Sequence, residues 1–218
     1  MRGLFIVFEG LDGSGKTTLI KEILNLNPES FVYSRGIASP TLIGKIAKKL
    51  PSTFMFTLEL FYLTFSKIRP LLKKGKIVLQ DRYSPSIITY IPKARRWYNK
   101  LIIRIFRPFL LKPHLFVYLH IPQEERIERL KKDNNKYHQI LIRNPKLIQA
   151  RDSEYMKIFL NLNGEKLFLR TDVASPQELA SRVLKLITRI EDDNGHTLQF
   201  HPKYARWPQN RQIQHTLF

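Results

Sequence analysis

Eight residues near the amino terminus constrain this chain more than any others. Gly10-Leu11-Asp12-Gly13-Ser14-Gly15-Lys16-Thr17 fits the pattern G-x-x-x-x-G-K-[ST] at every position. The setting matters as much as the letters. Residues 4–9 (LFIVFE) read as a buried strand, and residues 17–26 as a helix with Leu19, Ile20, Ile23 and Leu24 on one stripe. A strand, a glycine turn and a helix N-terminus aim successive backbone N–H groups, and the positive end of the helix dipole, at one point. That point suits a phosphate. Gly10, Leu11, Asp12, Gly13, Ser14, Gly15, Lys16, Thr17 and Thr18 are therefore candidate nucleotide-binding residues. Lys16 would bring a point charge to the β- and γ-phosphates of a nucleoside triphosphate, and the Thr17 hydroxyl could join Mg²⁺.

Downstream, short apolar runs alternate with longer helical patterns. Strands are expected at 31–34, 76–80, 114–121 and 166–169. Helices are expected at 40–50, 53–74 (bent at Pro70), 95–111, 122–132, 146–160 and 175–190. Ser175-Pro176 with Glu178 three residues after the serine is a capping box. The alternation predicts an α/β architecture of the P-loop NTPase fold, a five-stranded, mostly parallel sheet with helices on both faces. One domain is expected over 1–193. Residues 133–145, polar and basic between two helices, read as a mobile lid, and 194–218 as a basic carboxy-terminal tail.

Composition removes several functions. The 218 residues include no cysteine, which excludes a disulfide framework, thiolate catalysis and any zinc site that needs Cys. The six histidines show no metal-ligand spacing. Glu9 cuts short the first apolar run, so no signal peptide is expected, and no run approaches the ~20 apolar residues of a membrane span. A cytoplasmic location is expected. Lys and Arg exceed Asp and Glu by 37 to 18, a net charge of +19 that attracts anions. Between Asp81 and Glu124 there is no carboxylate, while Arg82, Lys93, Arg95, Arg96, Lys100, Arg104, Arg107 and Lys112 all lie there. A solvated face explains this most simply; nucleic acid is a possible but less favoured partner.

Phe8-Glu9-Gly10-Leu11-Asp12-Gly13-Ser14-Gly15-Lys16-Thr17-Thr18 resembles the thymidylate kinase family's F-E-G-x-D-G-x-G-K-[ST]-T, and Asp81-Arg82-Tyr83 its D-R-Y motif. The approach to that motif, 68–78, is similar to the family's I-x-P-x-L-x-x-G-x-[IV]-V, and 113–122 to its P-D-L-T-[IV]-Y-L-D-V-P, followed by an E-R-[IL] ending within 125–130. The resemblance runs from Met1 to about Ile190. It implies ATP and Mg²⁺ as donor and cofactor, dTMP as the nucleotide substrate, and a homodimer. It also implies roles. Arg82 would hold the acceptor phosphate and Arg35 would assist. Asp81 would help hold the metal with Thr17. Phe56 would stack on the base, Tyr90 would lie beneath the sugar, and Asp12 would sit near the 3′-hydroxyl. Without the resemblance, Phe56 among Phe54, Phe61, Tyr62 and Phe65 reads better as core, while Asp81, which could merely cap the strand, reads better as functional because Arg82 follows it at a strand end.

The chain also departs from that family. Leu60 stands where an arginine often follows the base-stacking Phe, Ile91 where a Gln often follows the sugar tyrosine, and His114 and His120 replace an Asp pair. Arg35-Gly36-Ile37-Ala38 replaces Arg-Glu-Pro-Gly. Gly13 stands where some members carry an arginine, and members without it often use a lid arginine. Arg143 is the first candidate, with Arg129 and Arg151 behind it. The candidate catalytic set is thus Lys16, Arg82, Asp81 and Arg143. Two alternatives remain: a deoxynucleoside kinase with Glu9 as base for a sugar hydroxyl, and a P-loop ATPase associated with nucleic acid.

Overall fold

The computed structural model describes residues 3–91, 96–133 and 135–193; the expected tail, 194–218, and the cations Lys93 and Arg95 lie outside the described residues. Five strands form one sheet: β1 (Phe5–Glu9), β2 (Phe31–Arg35), β3 (Ile77–Asp81), β4 (Leu115–His120) and β5 (Glu165–Arg170). Their spatial order is β2-β3-β1-β4-β5 and every pairing is parallel. All five lie within two residues of the expected bounds. Because β3 and β4 both flank β1, the strand order reverses there, and the crevice beyond the carboxyl ends of β1 and β3 is the natural ligand position. Register finishes the placement: Phe8 pairs with Asp81, and Arg35 pairs with Asp81 from the other side.

Alternation along β1 divides the core. Leu4, Ile6 and Phe8 pack on one face against Leu19, Ile20 and Ile23 of α1 (Lys16–Leu26) and Val183 and Ile187 of the last helix, α10 (Pro176–Asp193). Phe5 and Val7 face the opposite way. They join Phe56, Leu60 and Leu63 of α3 (Thr53–Leu63) and, farther along the chain, Ile87, Tyr155 and Phe159. Glu9 shares that second face by period-two alternation. Before α3 comes α2 (Leu42–Lys49), capped by Thr41, whose side chain accepts the Gly44 N–H. Near Pro70, where a bend is expected, the helix changes form. Proline cannot donate and its ring crowds the preceding turn. A π-helical turn, Thr64–Ile68, precedes it, with the Arg69 N–H bonded to Thr64 O, before α4 (Arg69–Lys73) resumes.

After β3, a short helix α5 (Ser84–Tyr90) follows the Asp81-Arg82-Tyr83 turn. The expected 95–111 helix is α6 (Trp97–Phe106), tightening to a 3₁₀ turn at Arg107–Phe109 where Pro108 interrupts it. Then come α7 (Gln123–Lys131), α8 (Lys136–Arg143) and α9 (Pro145–Leu160). The segment read as a lid is thus mostly the helix α8, capped by Asn135, whose side chain accepts the Tyr137 N–H at 2.9 Å and whose turns bury Leu141. The capping box of α10 is present, with Ser175 and Glu178 exchanging bonds. Among the described residues no helix is long and apolar enough to cross a membrane.

Candidate active site

The loop after β1 depends on its glycines. Gly10 has φ 141°, and a Cβ there would lie 2.4 Å from Leu119 O, so only glycine lets the loop pass β4. Gly15, at φ 83°, caps α1 in the left-handed region. Lys16 starts that helix and folds back over the loop. Its Nζ donates to Gly10 O and Leu11 O, both at 2.9 Å. Burial, and then the neighbouring Arg82, push its pKa down to about 8.

Arg82 approaches the same point from β3. Its Nη1 donates to Gly10 O at 3.3 Å and its Nη2 pairs with Asp12 at 2.5 Å, while its guanidinium lies 4.6 Å from the centre of the Tyr90 ring. Two cations on one carbonyl oxygen stand side by side. Asp12 is the counterweight. Burial pushes its carboxyl up, but Arg82 and Lys16 outweigh that and hold it below the usual carboxylate range. Tyr90 donates its hydroxyl to the other Asp12 oxygen at 2.9 Å.

Two cavities meet at this cluster, and Asp12, Arg35 and Arg82 line both. The larger, about 660 Å³, is walled by Lys16, Thr17, Tyr33, Asp81, Arg129 and Thr171. The smaller, about 340 Å³, is walled by Ile37, Ala38, Lys48, Phe56, Tyr90 and Ile91 among others. The larger suits phosphates in its chemistry: loop amides, cations and the two carboxylates Asp12 and Asp81. Its fit for Mg²⁺ is testable on the donors present. Asp81 Oδ1 is buried with no hydrogen-bond partner among the described residues, and Thr17 lines the same space. A carboxylate and a hydroxyl, completed by phosphate oxygens, are the hard donors Mg²⁺ takes. Tyr33 donates to the other Asp81 oxygen at 3.4 Å.

Most expected site residues therefore converge. Phe56 is 92% covered yet lines the smaller cavity, so it is both core and wall. Arg143 is not brought in. It sits exposed at the end of α8 and lines none of the three described cavities. Arg129 does reach the larger cavity, held by Thr171 at 3.2 and 2.9 Å. Arg151 of α9 lies 5.1 Å from the Tyr90 ring centre and donates to the Tyr137 hydroxyl. Tyr137 and a buried network around Glu9 escaped the sequence; only their folding neighbours identify them. Glu9 lines neither main cavity. Its carboxylate accepts the Tyr83 N–H and Ser86 hydroxyl, each at 2.7 Å, and the Tyr155 hydroxyl at 2.9 Å. Burial pushes its pKa up to about 6.

Comparison with known proteins agrees with this geometry. The family model for thymidylate kinase matches residues 8–180. The chain belongs to the thymidylate kinase family. It is 30% identical over 212 residues to a probable thymidylate kinase of Methanosarcina barkeri, covering 89% of this chain and all of the relative. It is 32% identical over 157 residues to the thymidylate kinase of Ligilactobacillus salivarius, covering 64% of this chain and 74% of the relative. The solved thymidylate kinase of Candida albicans shares the fold with a TM-score of 0.64 at 19% identity, over 91% of this chain and 98% of that one. As a thymidylate kinase family member, the chain gives three of its departures structural surroundings, while Ile37, Ala38 and Ile91 line the smaller cavity. His114 Nδ1 accepts the Phe5 N–H at 2.9 Å, His120 faces Asp152 at 3.4 Å, and Leu60 is wholly buried in the second core.

Proposed function

We propose that this chain transfers the γ-phosphoryl group of ATP to dTMP, giving dTDP and ADP. The observation that carries this is the convergence of Lys16 and Arg82 on Gly10 O, where the two cavities meet. A monophosphate is mostly a dianion at pH 7, its second pKa being about 6, so no base need remove a proton. The barrier is the repulsion between two polyanions, and fixed cations lower it. ATP belongs in the larger cavity, its phosphates on the loop amides, Lys16 and Thr17. dTMP belongs in the smaller one, its phosphate at Arg82 and Arg35, its base against Phe56, its sugar over Tyr90 beside Asp12. Mg²⁺, held by Thr17 and Asp81, would supply further positive charge to the phosphate oxygens.

Glu9 argues against the sugar-hydroxyl alternative. A base for a nucleoside hydroxyl must reach the substrate, and this carboxylate is sealed by three protein donors. A homodimer is supported by the outward stripe of α6, where Trp97, Leu101 and Ile105 are 76%, 48% and 56% exposed; light scattering behind a sizing column reads the mass. The deciding assay supplies the purified protein with ATP, Mg²⁺ and, separately, dTMP, dUMP, dCMP and thymidine. The expected product is dTDP, absent with Lys16→Ala. Phosphorylation of thymidine and not of dTMP would overturn the proposal.

A further inference from the structure

Arg82 is held in an unfavourable backbone conformation. Its φ is 71°, in the left-handed region that a residue with a side chain rarely adopts. Something must therefore over-determine the turn. The peptides on either side of Arg82 are tied to consecutive residues of β1. The Arg82 N–H donates to Phe8 O at 3.0 Å, and the Tyr83 N–H donates to Glu9 Oε1 at 2.7 Å. The side chain is tied to the same group. Arg82 Nη1 donates to Ser86 Oγ at 3.4 Å, and the Ser86 hydroxyl donates to Glu9 Oε2 at 2.7 Å. Glu9 Oε2 also accepts the Tyr155 hydroxyl from α9 at 2.9 Å. Tyr155 lies one helical turn after Arg151, and both flank the Tyr90 ring, at 6.2 and 5.1 Å between centres.

A carboxylate buried among three donors, and absent from both cavity walls, is not placed to touch a nucleotide. We propose that Glu9 is a positioning residue for phosphoryl transfer. It ties the strand that carries the phosphate loop to the turn that presents Arg82, and to the helix that presents Arg151. The role needs a carboxylate, because glutamine offers one acceptor oxygen where Glu9 uses two against three donors. It rests on the phosphoryl-transfer function proposed above.

The test is steady-state kinetics of Glu9→Gln, Tyr155→Phe and the double variant, with ATP and dTMP, well below each variant's melting temperature. If Glu9 positions Arg82, Glu9→Gln lowers kcat by at least about tenfold while KM for ATP stays within about twofold. If Tyr155 acts through Glu9, the double variant is no slower than Glu9→Gln alone, since residues in one network do not add. A Glu9→Gln enzyme that melts earlier yet keeps kcat within about twofold would reduce the network to a structural tie and overturn the proposal. Should Glu9→Gln fail to fold, Tyr155→Phe decides: an unchanged kcat overturns it, a several-fold loss at constant KM for ATP supports it. A wild-type protein that phosphorylates no monophosphate overturns the functional proposal itself, a different result from an active wild type with an indifferent Glu9→Gln.

Discussion

The larger and the smaller cavity are assembled by different kinds of chain. The larger takes its phosphate-handling groups from residues close in sequence, although Tyr33, Arg129 and Thr171 complete its wall. One loop, 10–18, supplies its amides, its ammonium and its hydroxyl, and register brings Asp81 alongside from the neighbouring strand. Beyond the shared Asp12, Arg35 and Arg82, the smaller gathers its wall from scattered places, among them the loop after β2 with Ile37 and Ala38, Lys48 of α2, Phe56 of α3, Tyr90 with Ile91 at the end of α5, and Tyr137 of α8. A cavity built from backbone amides and cations needs little from distant packing. A cavity with apolar walls is only as well shaped as the helices behind it. Phosphate handling should thus tolerate change in the surrounding helices, and selection of the base should not.

The largest effect is expected at Arg151, which lines neither main cavity but lies against Tyr90 in the wall of the smaller. Arg143 was the first expectation for a lid cation, but the structure leaves it exposed and places Arg151 over Tyr90. We predict that Arg151→Ala lowers kcat by ~10²-fold, within the usual range for one lost transition-state donor, with ATP affinity little changed. Arg143→Ala should leave kcat within about twofold. Single-turnover measurements with dTMP and ATP separate the two. The opposite ranking would mean that α8 swings inward during turnover and that the ligand-free geometry misplaces the cation.

Phe56 tests the apolar side. Base-on-aromatic stacking is worth about 1–3 kcal/mol. Phe56→Ala should therefore raise KM for dTMP by ~10-fold or more, with kcat and KM for ATP nearly unchanged. Because the ring is also 92% covered core, the variant should lose about 3 kcal/mol of stability, so Phe56→Leu is the safer companion. If KM for both substrates rises together, the two cavities are not independent and the contrast between them fails.

The same contrast explains what the sequence disclosed. All five strands and the phosphate loop were legible, because each is a contiguous run with its own periodicity or glycine pattern, and the D-R-Y turn was legible through the family resemblance. The Asp12–Arg82 pair and the Glu9–Tyr155 bond were not. They join residues 70 and 146 positions apart, and no local pattern encodes a partner at that distance. The helix inside the expected lid was not legible for a related reason. A polar, basic composition reads as a loop, yet Asn135 caps a helix there and Leu141 anchors it in the core. Once α9 is a helix from Pro145, Arg151 and Tyr155 fall on one face, and the cation facing Tyr90 moves eight residues along the chain from the expected one.

The smallest effect sharpens the phosphate side. Lys16 is held to a pKa of about 8 in the ligand-free protein, first by burial and then by Arg82. A triphosphate restores the charged form, so binding above that pH must be accompanied by proton uptake. We predict that ATP affinity, measured by calorimetry between pH 7 and 9.5, weakens as pH rises through about 8, by up to about tenfold per unit. The stability of the ligand-free protein runs the other way. The folded pKa lies below the unfolded value near 10.5, so the unfolded chain holds more protons between the two. Lys16's contribution to stability is therefore complete above 10.5 and is lost as pH falls through about 8. In Lys16→Arg the guanidinium does not titrate in this window, and the affinity profile should flatten even if turnover suffers. An equally steep profile in that variant would assign the titration to another group, and with it the claim that a desolvated lysine sets the charge of the larger cavity would fall.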